Sequence, residues 1–261
     1  MRLAFLASAV VALVAAPAAA QEAPPRGVVE LFTSQGCSSC PPADRLANEL
    51  SHDRRTLVLT LPVDYWDYLG WKDTLASPGN TARQQAYSRA RGDRKVYTPQ
   101  IVVNGGEATV GGDGPAVLGA LARAESAGGL ALPVSVSVED GRIEVSVAAL
   151  RRKIETTHAE VWVFALERER TVQIGRGENA GRMATYANVV RHMTRLGAWD
   201  GAPAKFEIAA DEVLQPENDG VAVLVQSGTG GQPGPILGAA QADPPRFGAA
   251  TTAAQLAREP F

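Results

Sequence analysis

Two cysteines, Cys37 and Cys40, make up the whole thiol content of this 261-residue chain, and only two residues separate them. They fall where one pattern gives way to another. Upstream, Val28-Val29-Glu30-Leu31-Phe32 is β-rich and ends in the polar turn Thr33-Ser34-Gln35-Gly36. Downstream, Pro41 and Pro42 are tolerated in a first helical turn, and Ala43, Leu46, Ala47 and Leu50 recur at helical spacing. The pair therefore opens a helix that follows a strand. Two cysteines are too few for a disulfide scaffold or a four-cysteine zinc site, which concentrates the chemistry at this one junction.

The rest of the composition bounds the fold and its partners. With 45% hydrophobic and 20% charged residues, the chain can fill one large core or two ordinary ones. A formal charge of -3, from 25 basic and 28 acidic residues, offers no broad basic field for phosphate backbones, so nucleic acid is not an expected partner. Residues 1–20 read as a signal peptide: Arg2 supplies the positive end, Leu3 to Ala16 the apolar stretch, and Ala18-Ala19-Ala20 the cleavage site. About 14 apolar residues fall short of the roughly 20 that span a bilayer. Cleavage would begin the mature chain at Gln21 and, by removing Arg2, take its charge to -4. The expected location is exported, periplasmic or extracellular, in an oxidising compartment, with no membrane span after cleavage.

Along the mature chain, Thr56 to Val63 is a second β-rich run, and Asn80 to Arg91 reads as a surface helix. Ile101-Val102-Val103 and Ala108-Thr109-Val110 flank the turn Asn104-Gly105-Gly106, and Pro115 to Ala127 closes the series as a helix. This order predicts an α/β unit over 26–127, a mixed sheet with flanking helices. Beyond Gly128-Gly129 the period changes. Val134 to Val138 and Ile143 to Val147 alternate across a turn, and Val161 to Leu166, Thr171 to Ile174, Lys205 to Ile208, Val221 to Val225 and Ile236 to Ala239 add short strands. A mostly β, sandwich-like unit over 131–241 is expected, with 242–261 as a loose tail. Asn188 to Leu196 fits strand or helix.

A helix start favours thiolate over thiol through its dipole and unpaired N–H groups. Cys37, nearer the helix end and expected to be the more exposed, is the candidate nucleophile, and Cys40, further in, the candidate resolving thiol. A passive disulfide is the plainer alternative, although so short a loop removes little unfolded-state entropy. A metal site using both thiolates is the third.

One more element sharpens the picture. Val96-Tyr97-Thr98-Pro99-Gln100-Ile101, together with the strand, turn and C-x-x-C helix, resembles the thioredoxin superfamily. The resemblance implies that Pro99 is cis and faces the cysteines, with Thr98 on a strand-like edge that receives an extended substrate. More closely still, the run Glu30 to Asp44, Val63-Asp64-Tyr65-Trp66-Asp67, Gly70-Trp71-Lys72-Asp73, Arg83-Gln84 and Tyr97-Thr98-Pro99-Gln100 resemble the secreted bacterial family known as domain of unknown function 1223. So do Gly177-Glu178-Asn179-Ala180-Gly181-Arg182, Asn188 to Arg191 and Ile236 to Ala240. That family implies a thioredoxin-like fold and export, and no substrate. The central dipeptide Ser38-Ser39 is neither Gly-Pro nor Pro-His, so no reduction potential carries over.

Two further features are open to a functional and a plain reading. Tyr65, Trp66 and Trp71 crowd the connection after the second strand, as a lid or peptide platform beside the sulfurs or as a self-packed loop covering a sheet edge. Glu30 is placed to take a proton from Cys40, or to face solvent or an arginine. His52, His158 and His192 have no ligand spacing to one another or to the cysteines, so no metal ligands are assigned. The leading expectation is an exported thiol–disulfide oxidoreductase acting on protein or small-molecule thiols and disulfides without a cofactor, its sites being Cys37, Cys40, Pro99, Glu30, Thr98, Tyr65, Trp66 and Trp71. Alternatives are a cell-envelope copper(I) carrier and a non-catalytic binding protein.

Overall fold

The computed structural model describes residues 24–150, 158–228 and 231–244. The expected signal peptide, its cleavage point and residues 245–261 of the expected tail lie outside that range. Eleven strands and three α-helices are arranged as a mixed α/β structure among the described residues. The first half runs β1 (Gly27–Thr33), α1 (Pro41–Ser51), β2 (Thr56–Pro62), α2 (Pro78–Arg91), β3 (Gln100–Val103), β4 (Glu107–Val110) and α3 (Gly114–Ser126). Among the described residues of the second half the regular elements are strands apart from one 3-10 turn, Ala210–Glu212: β5 (Val134–Glu139), β6 (Arg142–Val147), β7 (Ala159–Gln173), β8 (Met183–Trp199), β9 (Ala204–Ala209), β10 (Gly220–Ser227) and β11 (Ile236–Ala242).

Eight of the strands form one sheet in the order β11-β10-β7-β8-β2-β1-β3-β4, and β5-β6-β9 form a second. The change of period near Gly128-Gly129 thus marks a change of packing partner, and the expected division into 26–127 and 131–241 does not divide the sheets. β1 and β2 are parallel over seven residue pairs from Gly27↔Thr56 to Thr33↔Pro62, whereas β2 meets β8 through the single pair Thr60↔Val189. The Thr60 hydroxyl secures that seam by donating to the Ala187 carbonyl at 2.6 Å.

Period-two alternation assigns the faces of the large sheet. Val29 and Leu31 pack with Ala43 and Ala47 of α1 and Val117 and Ala120 of α3. Val161, Val163, Val221, Val223 and Val225 meet Ile143, Val145 and Val147 of the small sheet, a face-to-face sandwich of sheets. The opposite face runs unbroken across both halves, from Val28, Phe32, Leu57, Leu59 and Leu61 to Phe164, Leu166, Ala222 and Leu224, with Tyr87 of α2 packed on it.

Three local expectations are corrected. Residues 80–91 are not a surface helix, because Asn80, Gln84, Ala86, Tyr87 and Ser88 are buried. Its polar buried residues hid the inward face from a hydrophobic pattern. The two short strands 161–166 and 171–174 are one strand, since Glu167, Glu169 and Arg170 stay paired with β8. Residues 188–196 belong to strand β8.

Candidate active site

Cys37 and Cys40 form a disulfide, with their Cα atoms 5.4 Å apart. The chain arrives from β1 through successive turns: the Cys37 N–H donates to the Ser34 carbonyl and the Cys40 N–H to the Cys37 carbonyl. Cys40 is the N-cap residue of α1, and its carbonyl accepts from Ala43 at 2.9 Å and Asp44 at 3.1 Å. Pro41 and Pro42 have no N–H to offer. The helix start therefore presents fewer backbone donors to a sulfur than the sequence pattern suggests, and the Ser39 hydroxyl, 3.4 Å from the Cys37 Sγ, is the nearby polar group. The expected contrast in exposure is also absent from the oxidised pair: Cys37 is 1% exposed and Cys40 0%.

What covers Cys37 comes from two distant segments. The first is the connection between β2 and α2. Trp71 donates from Nε1 to the Gln35 Oε1 at 2.8 Å, and the Gln35 N–H donates to Asp73 Oδ2 at 2.8 Å. Trp66 donates from Nε1 to the Thr98 hydroxyl at 2.8 Å, tying the connection to the residue before Pro99. Burial pushes the Tyr65 hydroxyl up to about 12, with the Gln84 and Thr98 side chains opposing it. The second segment is the loop between β7 and β8. Buried Asn179 donates from Nδ2 to two carbonyls of the cysteine turn, Gln35 at 3.0 Å and Cys37 at 2.8 Å. Gly175 of the same loop lies so close to Trp71 that a Cβ would sit 2.8 Å from the indole ring, so only glycine fits there.

The Thr98–Pro99 bond is cis. Pro99 is buried, and its carbonyl accepts from the Gly111 N–H at 2.9 Å. A Cβ on Gly111 would lie within 3.2 Å of Ala43, Leu31 and Pro99 side-chain atoms, so Gly111 sits where the cis-proline segment and the first turn of α1 approach each other. Cysteine turn, cis-proline segment and aromatic connection thus converge.

Glu30 does not join them. It shares the sheet face of Val28 and Phe32, opposite α1, and is completely buried there. Arg83 Nε donates to its Oε1 at 2.5 Å and the Tyr87 hydroxyl to its Oε2, while Gln226 contacts both Arg83 and Tyr87. Of the two readings of Glu30, proton acceptor for Cys40 or partner of an arginine, the structure gives the second: a buried ion pair with Arg83 facing away from the sulfurs.

The carboxylate on the correct face is Asp44. It lies one helical turn beyond Cys40, on the same side of α1, with side chains tilted toward the helix start. Its Oδ1 accepts from the Thr33 hydroxyl at 2.6 Å. Burial raises its pKa to about 7, the Thr33 hydrogen bond opposing and nearby Asp73 adding to the rise. Burial likewise raises Asp73, against the backbone N–H groups of Gln35 and Leu75. Tyr186 on β8 is raised by burial and by both carboxylates. Among the described residues no group of three or more His, Cys, Asp or Glu gathers as a metal site.

With this geometry in place, the sequence matches the family described as protein of unknown function DUF1223 over residues 28–226. The chain belongs to that family. The crystal structure of protein AGR_C_4864 from Agrobacterium tumefaciens is 37% identical, with a TM-score of 0.74, covering 84% of this chain and 95% of that one. HBP35 of Porphyromonas gingivalis is similar in fold, at 13% identity and a TM-score of 0.58, over 86% of this chain and 76% of that one. No curated protein matches the sequence.

Proposed function

We propose that this DUF1223 protein is an exported thiol–disulfide oxidoreductase with a thioredoxin-like active site. The observation that carries the reading is a Cys37–Cys40 disulfide at a strand-to-helix junction together with a cis Thr98–Pro99 bond that approaches the same helix turn across Gly111.

In the reduced protein, the Cys37 thiolate attacks one sulfur of a substrate disulfide. A Cys37–substrate bond forms, and the substrate's other sulfur leaves as a thiolate that takes a proton from solvent. The Cys40 thiol then loses its proton and attacks the Cys37 sulfur, releasing the second substrate thiolate and forming the Cys37–Cys40 bond. Two electrons have passed to the substrate, and a dithiol partner returns them; run backward, the same steps oxidise a dithiol. Substrate enters along Thr98 and Pro99, with Tyr65, Trp66 and Trp71 beside it as contact area.

Replacing Cys40 with Ser tests this directly. The variant, expressed in the exporting cell, is expected to accumulate mixed disulfides through Cys37, because no thiol remains to resolve them, and the Cys37→Ser variant none. If Cys40→Ser traps nothing and the reduced wild-type chain does not exchange with a disulfide-linked fluorescent peptide, the oxidoreductase reading fails.

A further inference from the structure

On the face of the large sheet away from α1, a cleft of about 280 Å³ opens between α2 and strands β7, β8 and β10. One side is apolar, made by Trp162 and Met193 from the sheet and Ala82 and Ala86 from the helix. The Met193 methyl reaches far enough across that a Cβ on Gly79 would be 3.3 Å from it. The other side carries Arg83 and Arg89.

The charges are not evenly satisfied. Arg83 has a side chain only 8% exposed, and its Nε and Nη2 are engaged by Glu30, Tyr87 and Gln226. Its Nη1 makes no hydrogen bond among the described residues, and Arg83 lines the cleft. Arg89, exposed at the rim, has no ion-pair or hydrogen-bond partner among the described residues. The acids nearby are already committed, Glu160 to Arg195 at 2.8 Å and Glu30 to Arg83 and Tyr87. The unbalanced charge in the cleft is therefore positive. A buried ion pair is expensive to desolvate, and here it serves to hold one guanidinium edge at a fixed place in a wall.

We propose that this cleft binds a small organic carboxylate with an apolar body. The carboxylate accepts from Arg83 Nη1 and from Arg89, and the body lies against Trp162 and Met193. The volume is at the small end of ligand pockets, which run from roughly 300 to 1,000 Å³, so a single ring or short chain fits and a nucleotide does not. The cleft involves neither cysteine, and carboxylate binding there is independent of redox chemistry at Cys37 and Cys40.

Met1, Met183 and Met193 are the three methionines of the sequence, which makes methyl-labelled methionine a site-specific reporter. The full chain labelled in this way is titrated with 3-phenylpropionate and, separately, with 3-phenylpropanol. Saturable movement of the Met193 methyl with the acid is expected, without movement of Met183, which is 64% exposed. The alcohol should bind at least about tenfold more weakly, as should the acid to Arg89→Ala, and Ala82→Trp should abolish binding by filling the cleft. No saturable shift at about 10 mM acid, far above a useful dissociation constant, would overturn the proposal. So would equal binding of the alcohol, or an Arg89→Ala variant indistinguishable from wild type.

Discussion

Asp44 shows how one side chain links the redox site to the stability of the whole chain. Its carboxyl has a pKa near 7 in the folded protein and close to 3.8 in the unfolded one. Between those values the folded state holds the proton and the unfolded state does not, so stability contributed by this group falls as pH rises from about 4 to about 7 and is flat outside that window. Asp44→Asn keeps the shape and can still accept from Thr33. The variant should match wild type near pH 4 and exceed it at pH 8 by about 2 to 4 kcal/mol. Denaturant unfolding of both proteins across that range measures it; a difference that does not grow with pH refutes the assignment.

The same residue marks what was legible at this scale. Cys37, Cys40 and Pro99 could be read from the sequence because each sits in a short pattern whose chemistry is local. Glu30 against Asp44 could not, because choosing between them requires knowing which parity of β1 faces α1. Val29, Leu31 and Thr33 do; Val28, Glu30 and Phe32 do not. Both faces of β1 are buried, so hydrophobicity alone carries no parity signal.

Among the elements, the β7–β8 hairpin has the clearest consequence for function, since its loop holds the cysteine turn through Asn179. Asn179 is 2% exposed and its Oδ1 has no partner among the described residues, while its Nδ2 bridges Gln35 and Cys37. Removing it with Asn179→Ala leaves two carbonyls short of a donor and loosens the cover over Cys37. Reduction of the disulfide by a small water-soluble phosphine should become several-fold faster, and Trp71→Ala, which frees Gln35 from the other side, should act in the same direction. Unchanged reduction rates in both variants would show that neither segment limits access. The hairpin was hard to read as one element. Glu167-Arg168-Glu169-Arg170 has the polarity of a turn, yet Glu167 is buried, and the exposed Glu169 and Arg170 pair with buried Ala187 and Tyr186 of β8, so the polar run is the outer strand over a covered partner. Arg168 fastens this region by donating to Asn188, Gln241 and Asp243.

At the scale of the molecule, the halves that differ in sequence pattern are joined where pattern does not reach. Packing partners differ on the two sides of residue 130, helices before it and a second sheet after it. Sheet continuity is invisible in the sequence: it depends on β2 lying beside β8, a pairing of distant segments with one residue pair in register. The face opposite α1 is then a shared core. Phe32, Leu57, Leu59 and Leu61 from the first half meet Phe164, Leu166 and Leu224 from the second. Gln226 completes the Glu30–Arg83–Tyr87 network, and the Ile236 N–H donates to the Asn104 carbonyl at 2.9 Å.

This sharing predicts how the protein unfolds. A fragment of residues 24–130 keeps α2 on the face opposite α1 but loses Phe164, Leu166, Ala222 and Leu224 from beside it and frees the β8 edge of β2, and each large apolar side chain so uncovered forfeits roughly 1.5 to 3 kcal/mol. It would also leave the buried Arg83–Glu30 pair without Gln226. Losses of that size are comparable with the 5 to 15 kcal/mol that usually separates folded from unfolded chains. The fragment should therefore be unfolded or aggregated, even though it holds both cysteines and Pro99, and the full chain should lose near-ultraviolet and far-ultraviolet circular dichroism in one coincident transition. A fragment that folds alone, or two separated transitions in the full chain, would show that the single Thr60↔Val189 contact is a hinge between independent units rather than a seam within one core.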